Sequence, residues 1–182
     1  MDFNTLFRLL LTFNATSLLV IVYLVQHEIT FGGLIEVPSL PGLISGLSYA
    51  LYLAVPIVLT GLSLRLSSRL GRDTFQPGQV VSIEHANNSF LPSYLGYFFV
   101  ALSINSFQTL VFVYSILFIF TYRSQALYFN PLFLLYGYEF YNVSTSSHVT
   151  LFLISKESFR TPKDVVIDKV YCINDYTLID RG

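Results

Sequence analysis

Charge is scarce in this sequence. Of 182 residues, ten are Lys or Arg and eleven are Asp or Glu, 12% together, with a formal net charge of −1. That balance gives no electrostatic reason to expect direct nucleic-acid binding. Cysteine is nearly absent too. The single Cys172 excludes an intrachain disulfide and suits a reducing compartment. Motifs that carry chemistry are missing: there is no Gly-rich phosphate loop, no His-Glu-x-x-His and no Cys-x-x-Cys. His27, His85 and His148 stand far apart. Ser155 and Lys156 are neighbours in a strand-like run, so their side chains point to opposite faces and make a poor Ser-Lys pair. Asp164, Asp168, Asp175 and Asp180 alternate with Lys163, Lys169 and Arg181 as on a solvated surface. No enzyme, catalytic residue, cofactor or metal site is expected. Internal repeats and low-complexity tracts are absent as well.

What the chain has in abundance is apolar length. It is 53% hydrophobic with a mean hydropathy of +0.60, outside the usual range of a soluble domain. Leu43 to Leu64 contains no charge. At about 1.5 Å per residue it reaches roughly 33 Å, enough to cross a bilayer core. Gly42, Gly46, Ala50 and Ala54 recur every fourth position on it and predict a helix-packing face, within the subunit or between copies. Pro56 falls mid-span, where neighbouring helices can satisfy the carbonyl it frees. Arg65, Arg69 and Arg72 follow at helical spacing and read as a cytoplasmic membrane-surface anchor.

The same reasoning predicts three further spans. Residues 5–25 form a retained first span with Arg8 near the cytoplasmic surface and Asn14 inside; no small-residue cleavage site follows. The loop at 26–42 has no Lys or Arg and belongs outside. Residues 94–122 fit one tilted helix, with Asn105 and Gln108 mid-span on one face as intramembrane polar groups. Interhelical hydrogen bonding is the plain account of that pair, and a polar pore lining the alternative. Residues 125–140 complete the set: if they cross, Arg123 alone lies outside and the other nine cations lie inside with both termini.

The tail changes character. Phe140 to Val143, His148 to Ile154 and Val165 to Ile173 are rich in β-branched and aromatic residues, as strands are. Gln76-Pro77-Gly78-Gln79 in the basic loop is a turn signal, and Val80 to Ile83 a short strand. About 44 tail residues are too few to fold alone without a staple. They need copies of themselves, the basic loop or another protein. The expected fold is thus an all-α membrane bundle of four transmembrane helices over residues 1–140, with a small strand-rich cytoplasmic C-terminal domain over 141–182.

Three tail segments carry a resemblance: Gly137-Tyr138-Glu139-Phe140-Tyr141-Asn142-Val143, Leu153-Ile154-Ser155-Lys156 and Asn174-Asp175-Tyr176-Thr177-Leu178-Ile179-Asp180. With the order of spans and loops, they resemble the KwaA family, the membrane subunit of the bacterial Kiwa anti-phage defence system. The resemblance implies a non-enzymatic, homo-oligomeric inner-membrane sensor, in contact with membrane lipid. Its implied cytoplasmic partner is a soluble DNA-binding effector, KwaB. That family brings no catalytic residues to carry over. A small channel, needing Asn105 and Gln108 on a watery axis, and a transporter accessory subunit are the competing readings.

Overall fold

The computed structural model describes residues 2–31, 41–88, 91–124 and 130–182, without the side chains of 41–44 and 93. Helix α1 is Phe3–Gln26 and α2 is Pro41–Leu66, followed by a 3-10 turn at Ser67–Arg69. Strands β1 (Gly71–Phe75) and β2 (Val80–His85) come next, then α3 (Leu91–Ser103) and α4 (Phe107–Arg123). A 3-10 helix at Pro131–Tyr136 leads into β3 (Glu139–Thr145), β4 (Thr150–Ser155), β5 (Ile167–Cys172) and β6 (Thr177–Asp180).

This overturns the expected four-helix, all-α membrane bundle. Two helices, Phe3–Gln26 and Ser45–Arg69, are long and apolar enough to cross a membrane by length and composition. The run read as one helix over 94–122 is two shorter ones of 13 and 17 residues. It breaks at Ile104-Asn105-Ser106, because Ser106 adopts an extended conformation and its hydroxyl accepts the Thr109 N–H at 3.2 Å, capping α4. The proposed span at 125–140 is not a helix crossing. Residues 125–129 lie outside the described residues. Beyond them, Asn130 caps a six-residue 3-10 helix through its side chain, Pro131 opens it, and Gly137 closes it at φ +75°. Strand β3 then begins at Glu139, inside the segment assigned to the span.

The helices run side by side. Asn14 of α1 meets Thr60 of α2, and Tyr52 hydroxyl donates to the Ile29 carbonyl at 3.1 Å, so α2 is antiparallel to α1. Tyr94 donates to the Ala15 carbonyl and Gln26 to the Leu102 carbonyl, so α3 follows the second half of α1 in the same direction. Helix α4 returns: Tyr114 lies by Thr16, and Arg8 sits 5.3 Å over the Tyr122 ring.

The six strands form one sheet in the order β1-β5-β6-β4-β3-β2, antiparallel except for β4 beside β6. The tail shares its sheet with the basic loop, whose β1 and β2 form the two edges. A flat six-stranded sheet would hold its edges about 24 Å apart. Phe75 and Val80 are joined by only Gln76–Gln79, a tight turn with Gln79 N–H on the Gln76 carbonyl and Gly78 at φ +84°. Five extended steps reach at most about 18 Å. The sheet therefore curls. Its concave face is packed with Phe75, Val80, Tyr141, Val143, Leu153, Val170 and Leu178. Alternate residues on the outer face, Phe140, Phe152, Ile154 and Ile179, meet Phe7 and Leu11 of α1, Leu64 of α2 and Phe133. That joint fixes the sheet to one end of the helices.

Candidate functional site: the polar seam and the helix–sheet joint

The seam between α1 and α2 is made of small polar residues. Thr12, Asn14, Thr16 and Ser17 are buried on α1, Ser48, Thr60 and Ser63 on α2, and Ser67 in the 3-10 turn after it. Asn14 faces Thr60 of α2, while Thr16 meets Tyr114 of α4. A hydroxyl in a water-poor seam needs an acceptor. Most of these find one on their own helix: Thr12 donates to the Arg8 carbonyl, Ser17 to Asn14, Ser63 to Leu59 and Ser67 to Leu64. Being small, they also let the two backbones approach.

At the centre lies a network between three distant stretches. Asn14, Thr60 and Asn130 are all essentially inaccessible. Thr60 hydroxyl can donate to the Pro56 carbonyl at 2.8 Å, and Asn130 Nδ2 donates to Thr60 Oγ1 at 3.2 Å. The orientation of the Asn14 amide that satisfies both its ends turns Nδ2 to the Pro56 carbonyl at 3.0 Å. Its Oδ1 then accepts from Asn130 Nδ2 at 3.0 Å and faces Thr60 Oγ1 at 2.6 Å. Asn130 Oδ1 meanwhile caps Leu132. Nearby, Tyr136 hydroxyl donates to the Ile57 carbonyl at 2.7 Å, lying over Gly61, where a Cβ would come within 2.7 Å of that oxygen. The segment around Asn130 is thus pinned to the turn of α2 that runs from Pro56 to Gly61.

Other residues singled out in the sequence are placed as follows. Gly46 and Ala50 are exposed and Ala54 is half-buried; nothing lies within 4 Å of a Cβ built on Gly46. The surroundings of Gly42 lie outside the described residues. Within the chain, α2 packs instead through Ser48, Pro56, Thr60 and Ser63; Ser48 and Pro56 stand about 200° round the helix from their stripe neighbours Gly46 and Ala54. Asn105 lies in the α3–α4 break and Gln108 in the first turn of α4, both exposed rather than in the middle of a helix. Arg65, Arg69 and Arg72 are all exposed, but the helix ends at Leu66, so they sit on α2, the 3-10 turn and β1 rather than on one helical face. Arg72 lies 5.9 Å over the Tyr171 ring. Arg123, expected on the far side, follows Tyr122 to the same end as Arg8.

Ionisable groups gather at one strand pair. His85 Nε2 is 3.8 Å from the Glu139 carboxylate, and Tyr141 hydroxyl donates to the same carboxylate. Burial, then this hydrogen bond, raise the Tyr141 pKa, which keeps the phenol protonated. Phe159 N–H donates to the same hydroxyl at 3.3 Å, so Tyr141 ties β3 to the loop after β4. Cys172 is a poor nucleophile, its thiol pKa raised by burial and by Asp73 and Asp175. Among the described residues no group of three His, Cys, Asp or Glu could hold a metal.

Sequence reasoning identified Asn14 but not its partners. Asn130-Pro131, within the stretch expected as the fourth span, carries a local signal, since Asn before Pro is a cap signature.

No curated protein and no solved structure matches the chain. The family model of the anti-phage protein KwaA matches residues 7–179, from the first turns of α1 to the last strand of the sheet, and so takes in the seam, the joint and all six strands. The chain belongs to the KwaA family of anti-phage proteins.

Proposed function

We propose that this chain acts in anti-phage defence as a non-enzymatic membrane platform, sensing an event at the envelope and relaying it through its sheet to a cytoplasmic protein. The observation that carries the reading is the joint. Phe7, Leu11 and Leu64 of the two long helices share one apolar core with Phe140, Ile154 and Ile179 of the sheet. The sheet also takes its edges from the loop between α2 and α3. A shift of α1 against α2 must therefore move the sheet, which is what a two-state relay requires.

Membrane residence is supported by the outer surfaces of the helices. Leu47, Leu51, Val58, Phe99, Phe112 and Phe120 are all exposed. All ten Lys and Arg lie at the sheet end of the helices or on the sheet domain, which is the distribution of a cytoplasmic side. Both termini fall on that side. The outward Gly46 and Ala50 leave room for a second copy, in keeping with a homo-oligomer. The partner that the family resemblance implies is the DNA-binding effector KwaB.

The test weakens the joint without removing it. Leu64→Ala combined with Ile179→Ala should leave the protein in the membrane fraction, lower recovery of the cytoplasmic partner and reduce protection against phage. A folded double variant that keeps both its partner and full protection rules out relay through the joint. Ion flux through liposomes holding the purified protein alone would replace the relay with a pore.

A further inference from the structure

Three cations from separate parts of the chain converge on one cavity of about 510 Å³ where α2 meets the sheet: Arg65 at the end of α2, Lys156 after β4 and Arg181 after β6. In a chain of net charge −1 this is a local excess of positive charge. No acidic side chain lines the cavity, and among the described residues none of the three cations forms an ion pair. Asp180, next to Arg181, is not part of the lining: it accepts from Ser155 hydroxyl at 2.6 Å and from the Gly182 N–H at 3.0 Å, and its charge reaches the Tyr138 phenol.

The remaining walls are of two kinds. Tyr136 and Tyr138 form the floor, with Lys156 Nζ 5.2 Å over the Tyr138 ring. Burial raises the pKa of the Tyr138 phenol, so it stays a neutral donor. The other wall is apolar. Val58 and Leu62, both exposed, stand one above the other on α2, leading from Arg65 into the uncharged part of the helix.

We propose that this cavity binds the phosphate headgroup of an anionic phospholipid, with an acyl chain lying along Val58 and Leu62. This rests on the membrane placement proposed above. A soluble phosphate compound would use the cations and tyrosines but would leave the apolar wall uncovered. The apolar wall continuing from the cationic end therefore favours a lipid. Because Arg65 belongs to a helix and the other two cations to the sheet, a bound headgroup would brace the joint and make the relay sensitive to the lipid around it.

Full-length protein is placed in nanodiscs of equal phosphatidylglycerol and phosphatidylcholine, released into mild detergent and examined by native mass spectrometry. The wild type should retain phosphatidylglycerol in preference to phosphatidylcholine. Arg65→Gln, Lys156→Gln and Arg181→Gln should each weaken that retention about fivefold, and the triple variant should abolish the preference. Arg160→Gln/Lys163→Gln/Lys169→Gln removes the same charge away from the cavity and should retain lipid as the wild type does. Equal retention of both lipids by the wild type, or an unchanged preference in a folded single or triple variant, overturns the site. Displacement of the lipid by millimolar glycerol 3-phosphate would overturn the lipid assignment in favour of a soluble phosphate ligand. Recovery of the chain without detergent would bring down the membrane reading first. A membrane-bound chain with no lipid preference brings down this site alone.

Discussion

The helical layer buries small polar residues beside an apolar cluster of Leu19, Tyr23, Ala101, Ile104 and Leu110, while the core of the sheet domain is mainly apolar. Between α1 and α2 the inaccessible side chains include Asn14, Thr60 and Ser63, and Thr16 is buried against Tyr114 of α4, while Leu51, Val58, Phe112 and Phe120 point outward. In the sheet the order is the usual one: Phe140, Val143, Leu153, Ile154 and Val170 are inside, and Asp168 and Lys169 outside. One chain thus follows two packing rules. Water drives apolar groups together in the sheet. A hydrocarbon surround gives no such push, so close-fitting small residues and internally satisfied polar groups hold helices together there. The difference is what the membrane proposal calls for, and it can be tested one residue at a time.

The largest contrast is between two phenylalanines. Phe140 is fully buried in the outer face of the sheet, stacked on Phe152 with ring centroids 5.7 Å apart. Phe140→Ala should cost about 3–5 kcal/mol and is read as a sharp fall in unfolding temperature and folded yield. Phe112, 66% exposed on α4, should cost less than about 0.5 kcal/mol when changed to Ala. Equal losses in detergent would mean that α4 is covered by protein rather than lipid.

Next comes the seam. Asn14→Ala strips Asn130 and Thr60 of a shared partner and should destabilise by about 1–2 kcal/mol. Asn130→Ala should cost a similar amount, and the double variant less than the sum, because both belong to one network. Additive losses in a thermal-unfolding cycle would show that the two amides act separately.

Gly61→Ala is smaller. The added methyl meets Tyr136 hydroxyl, the free end of a side chain, which can move aside at the cost of its bond to the Ile57 carbonyl. A loss of about 1 kcal/mol is expected, and Gly61→Ala/Tyr136→Phe should lose no more than Tyr136→Phe alone. By contrast Gly46→Ala, which meets nothing within 4 Å, should stabilise the single chain by about 0.5–1 kcal/mol, the helix penalty of glycine.

The smallest effect lies on the surface of the sheet domain. Asp164 accepts from the Thr161 and Arg160 backbone N–H groups, and those bonds, the Thr161 ones foremost, lower its pKa. A carboxyl whose pKa is lowered on folding contributes stability above its unfolded value, and that contribution is lost as the pH falls through the folded one. Stability of the wild type should therefore drop slightly as the pH falls below the ordinary aspartate range. Asp164→Asn should flatten that part of the acid limb, measured by thermal unfolding between pH 5 and pH 2.5.

Several features were legible in the sequence because they are properties of a local stretch. The uncharged run in α2, the apolar α1, the turn at Pro77-Gly78 and the β-branched tail each follow from neighbouring residues. The break between α3 and α4 was local too, but the hydropathy of residues 90–122 outweighed the Ser-Ile-Asn-Ser signal within it. Charge counting misplaced Arg123 for the same reason: one uninterrupted helix would end on the opposite side from a helical hairpin.

By itself, then, the sequence determined that α1 and α2 would be long apolar helices and that the stretches of β2, β3, β4 and β5 would be strands. Tertiary structure alone decided that β1 and β2 close the two edges of the sheet and that Asn14, Thr60 and Asn130 meet. The same is true of Arg65, Lys156 and Arg181, which share a cavity. The physical reason is distance along the chain. Asn14 and Thr60 are 46 residues apart and Thr60 and Asn130 are 70 apart. Whether such groups touch depends on how whole helices and strands pack, which no local pattern of hydropathy encodes.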